Sequence, residues 1–266
     1  KEKVNLTCEY GMVVKIENTK VVESLFEGWN ETLIWSCLDK TMGEIYANSL
    51  TEPTCALAVL GEFMFFAGTP NKELITYKPS TYQATFVLIA TRSDDWWKLI
   101  EEAYEGRNSK LIRYAIKKEK NVFNRNQLEE TVKNLPKGYE IKLIDETLYN
   151  QCKQYEWSKY FVSNYSTYSE FERMGLGFIV LHDGEMCSGA SSYSSYQGGI
   201  EIEIDTVEEH RRKGLAFACV AKLILACLDK GLYPSWDAAN KESVHIAEKL
   251  GYHFSHEYTA YEVMGY

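Results

Sequence analysis

The stretch HRRKGLAFACVAKLILACLDKG, residues 210–231, sets three cations and a glycine at the mouth of a long apolar helix. A helix N-terminus exposes unpaired N–H groups and carries roughly half a positive charge. Glycine there lets a ligand approach the backbone, and successive inward N–H groups form an anion nest. Arg211, Arg212 and Lys213 add charge, while Gly214 and the small Ala216 leave room. These residue types at this spacing suit a phosphate or pyrophosphate. They equally suit a solvated basic loop capping a core helix, and six residues alone leave both readings open. Neither GxxxxGK(S/T) nor GxGxxG occurs in the chain.

The elements that must position this turn alternate. Tyr139 to Asp145 reads as a strand, and Asp145 caps a helix from about Glu146 to Tyr155. A short helix follows, capped by Ser166 or Thr167 and stopped by Gly175. Two strands then flank the Asp183-Gly184 turn signal. GIEIEIDT (Gly199 to Thr206) alternates apolar and acidic residues as a half-buried strand does. After the basic turn come a helix from about Gly214 to Asp229, a strand at Leu232 to Ala238, an Asn240-capped helix ending at Gly251, and one or two closing strands. The result is a mixed α/β layout. Upstream, Cys55 to Gly68 predicts two strands about Gly61-Glu62, Ala84 to Thr91 a strand, and Ser93 the cap of a helix. AVLGEFMFFAG echoes IVLHDGEMCSGA, which fits either a degenerate internal duplication or two unrelated hairpins. The breaker NLPKG places a domain boundary near residue 135.

Composition narrows the function classes. The 266 residues are 45% hydrophobic and 25% charged, so two domains with buried cores are expected. A net charge of −9, with basic residues scattered except at Arg211–Lys213, argues against nucleic acid. Seven cysteines (Cys8, Cys37, Cys55, Cys152, Cys187, Cys219, Cys227) show neither CxxC nor metal-ligand spacing; reduced thiols of a cytoplasmic protein and no metal are expected. No apolar run reaches membrane-spanning length. The sequence opens at Lys1, so a few residues are expected to precede it, and nothing in it resembles a signal peptide. An oligomer is compatible with the sequence but not indicated.

The arrangement of strand, basic turn, helix, strand and Asn-capped helix resembles the GNAT N-acetyltransferase superfamily. Its motif (Q/R)-x-x-G-x-(G/A) is read at Arg211, Gly214 and Ala216. A second motif is read at Asn240, Ser243, Ala247 and EKLGY (Glu248 to Tyr252). The resemblance covers about residues 136–266. In detail it is similar to a two-part subgroup that includes antibiotic self-resistance acetyltransferases, in which residues 1–135 would form a smaller α/β domain, either a degenerate GNAT-like half or an unrelated one.

The resemblance implies acetyl-CoA binding. The N–H groups of Arg212, Lys213, Gly214, Leu215 and Ala216 would hold the pyrophosphate, with Arg211 beside them. Backbone at Ile204 and Thr206 would pair with the pantetheine arm. Asn240 would bond the cofactor, with Ser243 close to it. The implied reaction moves an acetyl group to a primary amine, on a small molecule, by direct attack in a ternary complex. An amine near pKa 10 must lose a proton before it attacks. Glu201 and Glu203 are the candidate bases, although strict alternation with Ile200, Ile202 and Ile204 would also be met by two solvent-facing carboxylates. A bulge at the end of the strand would re-aim one of them. Where many relatives carry a Tyr as general acid, this chain has Ala247. Two alternatives follow: an acyl-CoA-binding regulatory protein without catalysis, and a protein or peptide N-acetyltransferase.

Overall fold

The computed structural model describes residues 12–266. The chain forms two units, Lys1–Leu111 with Thr259–Tyr266, and Ile112–Tyr258. The first holds β1 (Val14–Lys15), α1 (Thr32–Leu38), β2 (Glu44–Ala47), β3 (Cys55–Leu60), β4 (Phe63–Gly68), α2 (Lys72–Ile75), β5 (Phe86–Thr91), α3 (Asp94–Ala103) and the start of β6 (Asn108–Ile116). β1 to β4 pair antiparallel in succession, and β5 joins β4 in parallel. β3 (CALAVL) is buried along its whole length, as a central strand covered on both faces must be. The Ser93 hydroxyl accepts the Trp96 N–H and so caps α3, with Asp94 and Asp95 in its first turn. That cap aims Trp96 and Ile100 into a core with Leu57, Phe66 and Val87.

The second unit holds the rest of β6, then α4 (Arg125–Lys133), β7 (Tyr139–Leu143), α5 (Glu146–Cys152), α6 (Tyr168–Met174), β8 (Gly177–His182), β9 (Glu185–Tyr196), β10 (Gly199–Thr206), α7 (Leu215–Asp229), β11 (Tyr233–Ser235), β12 (Asp237–Ala238), α8 (Lys241–Lys249) and the first residues of β13 (Phe254–Met264). Its sheet runs β7-β8-β9-β10 antiparallel, with β11 parallel to β10. α7 is apolar nearly all round, and Leu215, Cys219, Val220, Leu223 and Ile224 pack with Phe178, Val180, Ile200 and Ile202 of the sheet. Each such Leu or Ile contributes about 1.5–3 kcal/mol on burial. The stretch expected as one strand at 232–238 is two. β11 pairs with β10 and β12 with β6, because Trp236 between them turns into the core against Tyr252.

The two units share one connectivity: four antiparallel strands, a helix, a fifth strand parallel to the fourth, then another helix. The first unit therefore repeats the strand order of the second. The sequence echo is one strand out of step. It aligns β3-β4 with β8-β9, whereas the connectivity matches β3-β4 to β9-β10.

Each unit also takes a strand from the other half of the sequence. Ala260–Met264 pair with β5, and Tyr114–Ala115 pair with β12. The breaker near residue 135 lies inside the second unit. There Leu128 of α4 shares a core with α7, and Arg125 meets Asp229 at 2.6 Å.

Candidate functional site

The basic turn departs from ordinary backbone at two points. Arg212 (φ 61°) and Gly214 (φ 76°) are both left-handed. Gly214 is the N-cap of α7, and no side chain closes that end. The first helical bond runs from the Ala218 N–H to the Gly214 carbonyl. The N–H groups of Leu215, Ala216 and Phe217 are thus the orphan donors that every helix start leaves. A Cβ built on Gly214 meets nothing within 4 Å, so the space above the glycine is open.

The cations around this end are not equivalent. Arg211 Nε donates to the Thr206 carbonyl at 3.0 Å, and Lys213 Nζ to the Glu209 carbonyl at 3.0 Å. Arg212 makes no ion pair among the described residues. His210 is tied back to β7, where the Tyr139 hydroxyl meets its Nδ1 at 2.9 Å.

β10 has eight residues, but only Gly199, Ile200 and Glu201 pair with β11, while pairing with β9 continues to Thr206. The two strands therefore part after Glu201 and Ser235. From Ile202 onward β10 has no strand on that edge among the described residues, and this edge runs toward the basic turn. Of the two backbone positions expected to serve a ligand, Thr206 is already engaged: its N–H donates to Asp205 Oδ1 at 2.6 Å and its carbonyl accepts from Arg211. Ile204 lies opposite Ala190 of β9, on the stretch of β10 that β11 does not reach. At the next helix the Asn240 side-chain oxygen accepts the Ser243 N–H at 2.8 Å. Asn240 is thus the cap of α8, and the Asn240 amide nitrogen lies outside that cap.

The carboxylates do not face open solvent. Glu201 is 7% exposed, and Glu203 is half-buried. Ile200, Ile202 and Ile204 point to α7, so alternation sends both carboxylates to the other face of the sheet. The expected bulge exists at this place, but the extra residue is Tyr193 on β9. β10 alternates without a break, and neither glutamate is re-aimed.

The Asp237 carboxyl and the phenols of Tyr252, Tyr258 and Tyr261 are committed. Asp237 is held by Arg113 at 2.6 Å and by the Tyr258 hydroxyl at 2.8 Å. Tyr252 donates to the Pro234 carbonyl and Tyr261 to Glu101. Burial pushes the Tyr252 and Tyr258 phenols far above their usual range. Ala247 is fully buried in the core. Residue types alone did not single out Ser194, Tyr196 and Ser235, which surround Glu201. The one available signal was the run of serines in β9, CSGASSYSSY, too polar for a strand buried on both faces.

Among its described residues the first unit has no counterpart of the open helix end. At the equivalent junction a Cβ on Gly68 would collide with the Thr54 carbonyl. α2 has four residues and is capped by the Asn71 side chain. β4 pairs with β5 through to Thr91, the last residue of β5.

The site is thus a parted parallel strand pair beside an open, glycine-capped helix end in an α/β protein, a geometry able to hold an extended anionic ligand. The GNAT acetyltransferase family model matches residues 23–261, across both units. This chain belongs to that family of acyltransferases. It is 29% identical over 241 residues to the uncharacterized N-acetyltransferase YdfB of Bacillus subtilis (strain 168), covering 86% of this chain and 89% of that one. The crystal structure of a GCN5-related N-acetyltransferase-like protein from Streptococcus suis 89/1591 superposes with a TM-score of 0.87 at 45% identity, covering 93% of this chain and 98% of that one. A GCN5-related N-acetyltransferase from Kribbella flavida shares the fold, with a TM-score of 0.53 at 12% identity over 93% of this chain and 95% of that one. Among the described residues, no His/Cys/Asp/Glu group is arranged to hold a metal ion, and no helix is long and apolar enough to cross a membrane.

Proposed function

We propose that this chain transfers an acetyl group from acetyl-CoA to a primary amine on a small molecule, by direct attack in a ternary complex. The observation that carries the reading is the open end of α7. Leu215, Ala216 and Phe217 have no helical partner for their N–H groups, and the space above the left-handed Gly214 is open. Such an end binds a pyrophosphate. The N–H groups from Arg212 to Ala216 would hold it, with the uncommitted Arg212 guanidinium neutralising charge. Ile204 would pair its backbone with an amide of the extended arm, at the edge that β11 leaves. The Asn240 amide nitrogen would bond the cofactor from the start of α8, with the Ser243 hydroxyl close to it. When bound, the thioester supplies an activated acyl group.

The chain's own residues supply the proton chemistry. Glu201 would take the proton that the acceptor amine must lose, and Glu203, two residues further along the open edge, is the second candidate. General-base catalysis contributes about 10²–10⁴-fold. The six described thiols are free and buried, which fits the reduced interior of a cytoplasmic protein. The acidic balance of the chain suits a cationic amine better than nucleic acid.

One observation favours a second reading. Ala247 stands where a tyrosine general acid would, as it would in an acyl-CoA-binding regulatory protein that has lost catalysis. Calorimetric titration with acetyl-CoA, beside a Gly214→Glu variant, tests the cofactor site. Micromolar binding lost in the variant is the expected result, and absence of binding by the wild type would refute both readings. Release of CoA with a specific amine then separates the enzyme from the regulator.

A further inference from the structure

β9 carries five serines in a buried strand, and four of them are satisfied by the protein. The Ser188 hydroxyl meets that of Thr206 at 2.8 Å. Ser191 donates to the Phe161 carbonyl at 2.7 Å. Ser192 accepts from the Leu176 N–H and from the Tyr165 hydroxyl. Ser195 donates to the Met174 carbonyl at 2.6 Å. Ser194 is the exception. It is fully buried, and its hydroxyl has no hydrogen-bond partner among the described residues. A buried hydroxyl left unpaired is costly, so Ser194 calls for a partner beyond the protein's own atoms.

Its position says which ligand group. Ser194 is the β9 partner of Glu201, and Ser235 is the β11 partner of the same residue. Directly paired residues project to the same face of a sheet. Ser194, Glu201 and Ser235 therefore form one row across three strands, at the point where β10 and β11 part. Ser235 is occupied: the Tyr196 ring crosses Gly199, where a Cβ would collide with it, and its hydroxyl reaches the Ser235 oxygen at 2.7 Å. The row thus offers one carboxylate and one uncommitted hydroxyl, with no cation in it. That combination recognises a primary amine, which presents N–H donors and takes a negative neighbour while it is still protonated.

We infer that Ser194 is an acceptor-binding residue whose oxygen takes one N–H of the incoming primary amine and so aims its lone pair away from the row. The inference rests on the acetyl-transfer reading above. In the step it serves, the neutral amine nitrogen forms the new N–C bond as the thioester C–S bond breaks. Glu201 has already taken the first proton of the ammonium, so the sulfur leaves as thiolate and takes the second amine proton to become a thiol, while Ser194 holds the remaining N–H without being changed.

Three measurements on Ser194→Ala test this, with Ser195→Ala as the contrast. The first is thermal unfolding of the ligand-free protein. Ser194→Ala is expected to melt at or above the wild type, because it deletes an unpaired group, and Ser195→Ala below it. The second is acetyl-CoA affinity by calorimetry, expected to be unchanged in Ser194→Ala. The third is CoA release with whichever of tryptamine, glucosamine and spermidine the wild type uses fastest. There kcat/KM is expected to fall about tenfold, the loss of one hydrogen bond near the top of the usual range. A Ser194→Ala protein that is destabilised or fails to fold would show the hydroxyl to be structural and overturn the inference. So would an unchanged kcat/KM. A wild type that releases no CoA with any amine overturns the acetyl-transfer reading first, and this inference with it, before any variant is compared.

Discussion

Ser235 lies opposite Glu201 at the last register position that β11 shares with β10. Beyond that pair one strand ends and the other continues, so the buried carboxylate sits at the root of the opening. Glu203 lies past the root and is more exposed. The two glutamates look alike in the sequence, yet they stand in different surroundings. Replacing Glu201 by Gln keeps its shape while removing the base. Glu201→Gln is expected to lower kcat for CoA release by about 10²-fold or more, with acetyl-CoA affinity unchanged. Glu203→Gln should cost less than about tenfold. Steady-state kinetics on both variants decides the assignment, and the reverse ranking would move the base to Glu203.

The cations of the basic turn should separate in the same way. Arg211 and Lys213 each hold a backbone carbonyl of their own loop, and Arg212 holds neither a carbonyl nor a carboxylate among the described residues. Arg212 also sits at φ 61°, where glycine rests without strain. Arg212→Gly therefore removes a charge without disturbing the turn. Acetyl-CoA affinity is expected to fall about tenfold and to depend less steeply on salt, with stability within about 1 kcal/mol of wild type. Calorimetry at two salt concentrations beside a melting curve reads both. Full affinity in the variant would remove Arg212 from the site.

Much of this was legible in the sequence, for identifiable reasons. The Ser93, Asp145, Thr167 and Asn240 side chains all cap the helices expected of them, because capping is local chemistry. The Asp183-Gly184 turn, with φ of 50° and 85°, closes the expected hairpin. What was not legible depends on distant partners. Strict alternation in GIEIEIDT could not reveal that the acidic face is covered, since that face is buried by residues far along the chain. The role of Asp237 was equally hidden, because its partner Arg113 is 124 positions away. Nor could local patterns show that each unit takes a strand from the other half of the sequence.

The thiols give a prediction with a definite sign. Burial pushes Cys55 and Cys187 up to about 11, and Cys37, Cys152 and Cys227 up to about 12, with Cys219 also raised. A raised pKa lowers the thiolate fraction, which at pH 8 falls to about one in a thousand or less for each. Cys8 lies outside the described residues, so the test uses a Cys8→Ser background. In that protein no thiol is expected to react with a chromogenic disulfide at pH 8, and all six should react in guanidinium. Rapid reaction of a native thiol would count against direct attack and for a route through an acylated cysteine.

Where the chain can be cut follows from the strands at 112–116 and 259–264. A break near residue 135 falls at an exposed, polar segment that looks like a linker, yet a fragment starting there lacks α4 and β6. α7 would lose Leu128 from its core and the Arg125 partner of Asp229. β12 would lose its partner strand, and Asp237 the Arg113 that neutralises it. Removing one partner of a largely buried pair alone costs about 3–5 kcal/mol, a large part of the stability of an ordinary domain. The fragment would also carry Ala260 to Met264 without β5 to pair with. Residues 136–266 are therefore expected to be insoluble or unfolded by circular dichroism. A fragment of residues 112–258 keeps α4, the β6–β12 pairing and the Arg113–Asp237 contact, and is the better candidate to fold and bind acetyl-CoA. If 136–266 instead folded and bound acetyl-CoA like the full chain, the boundary near 135 would stand, and the contribution of residues 112–135 to the acetyltransferase unit would be small.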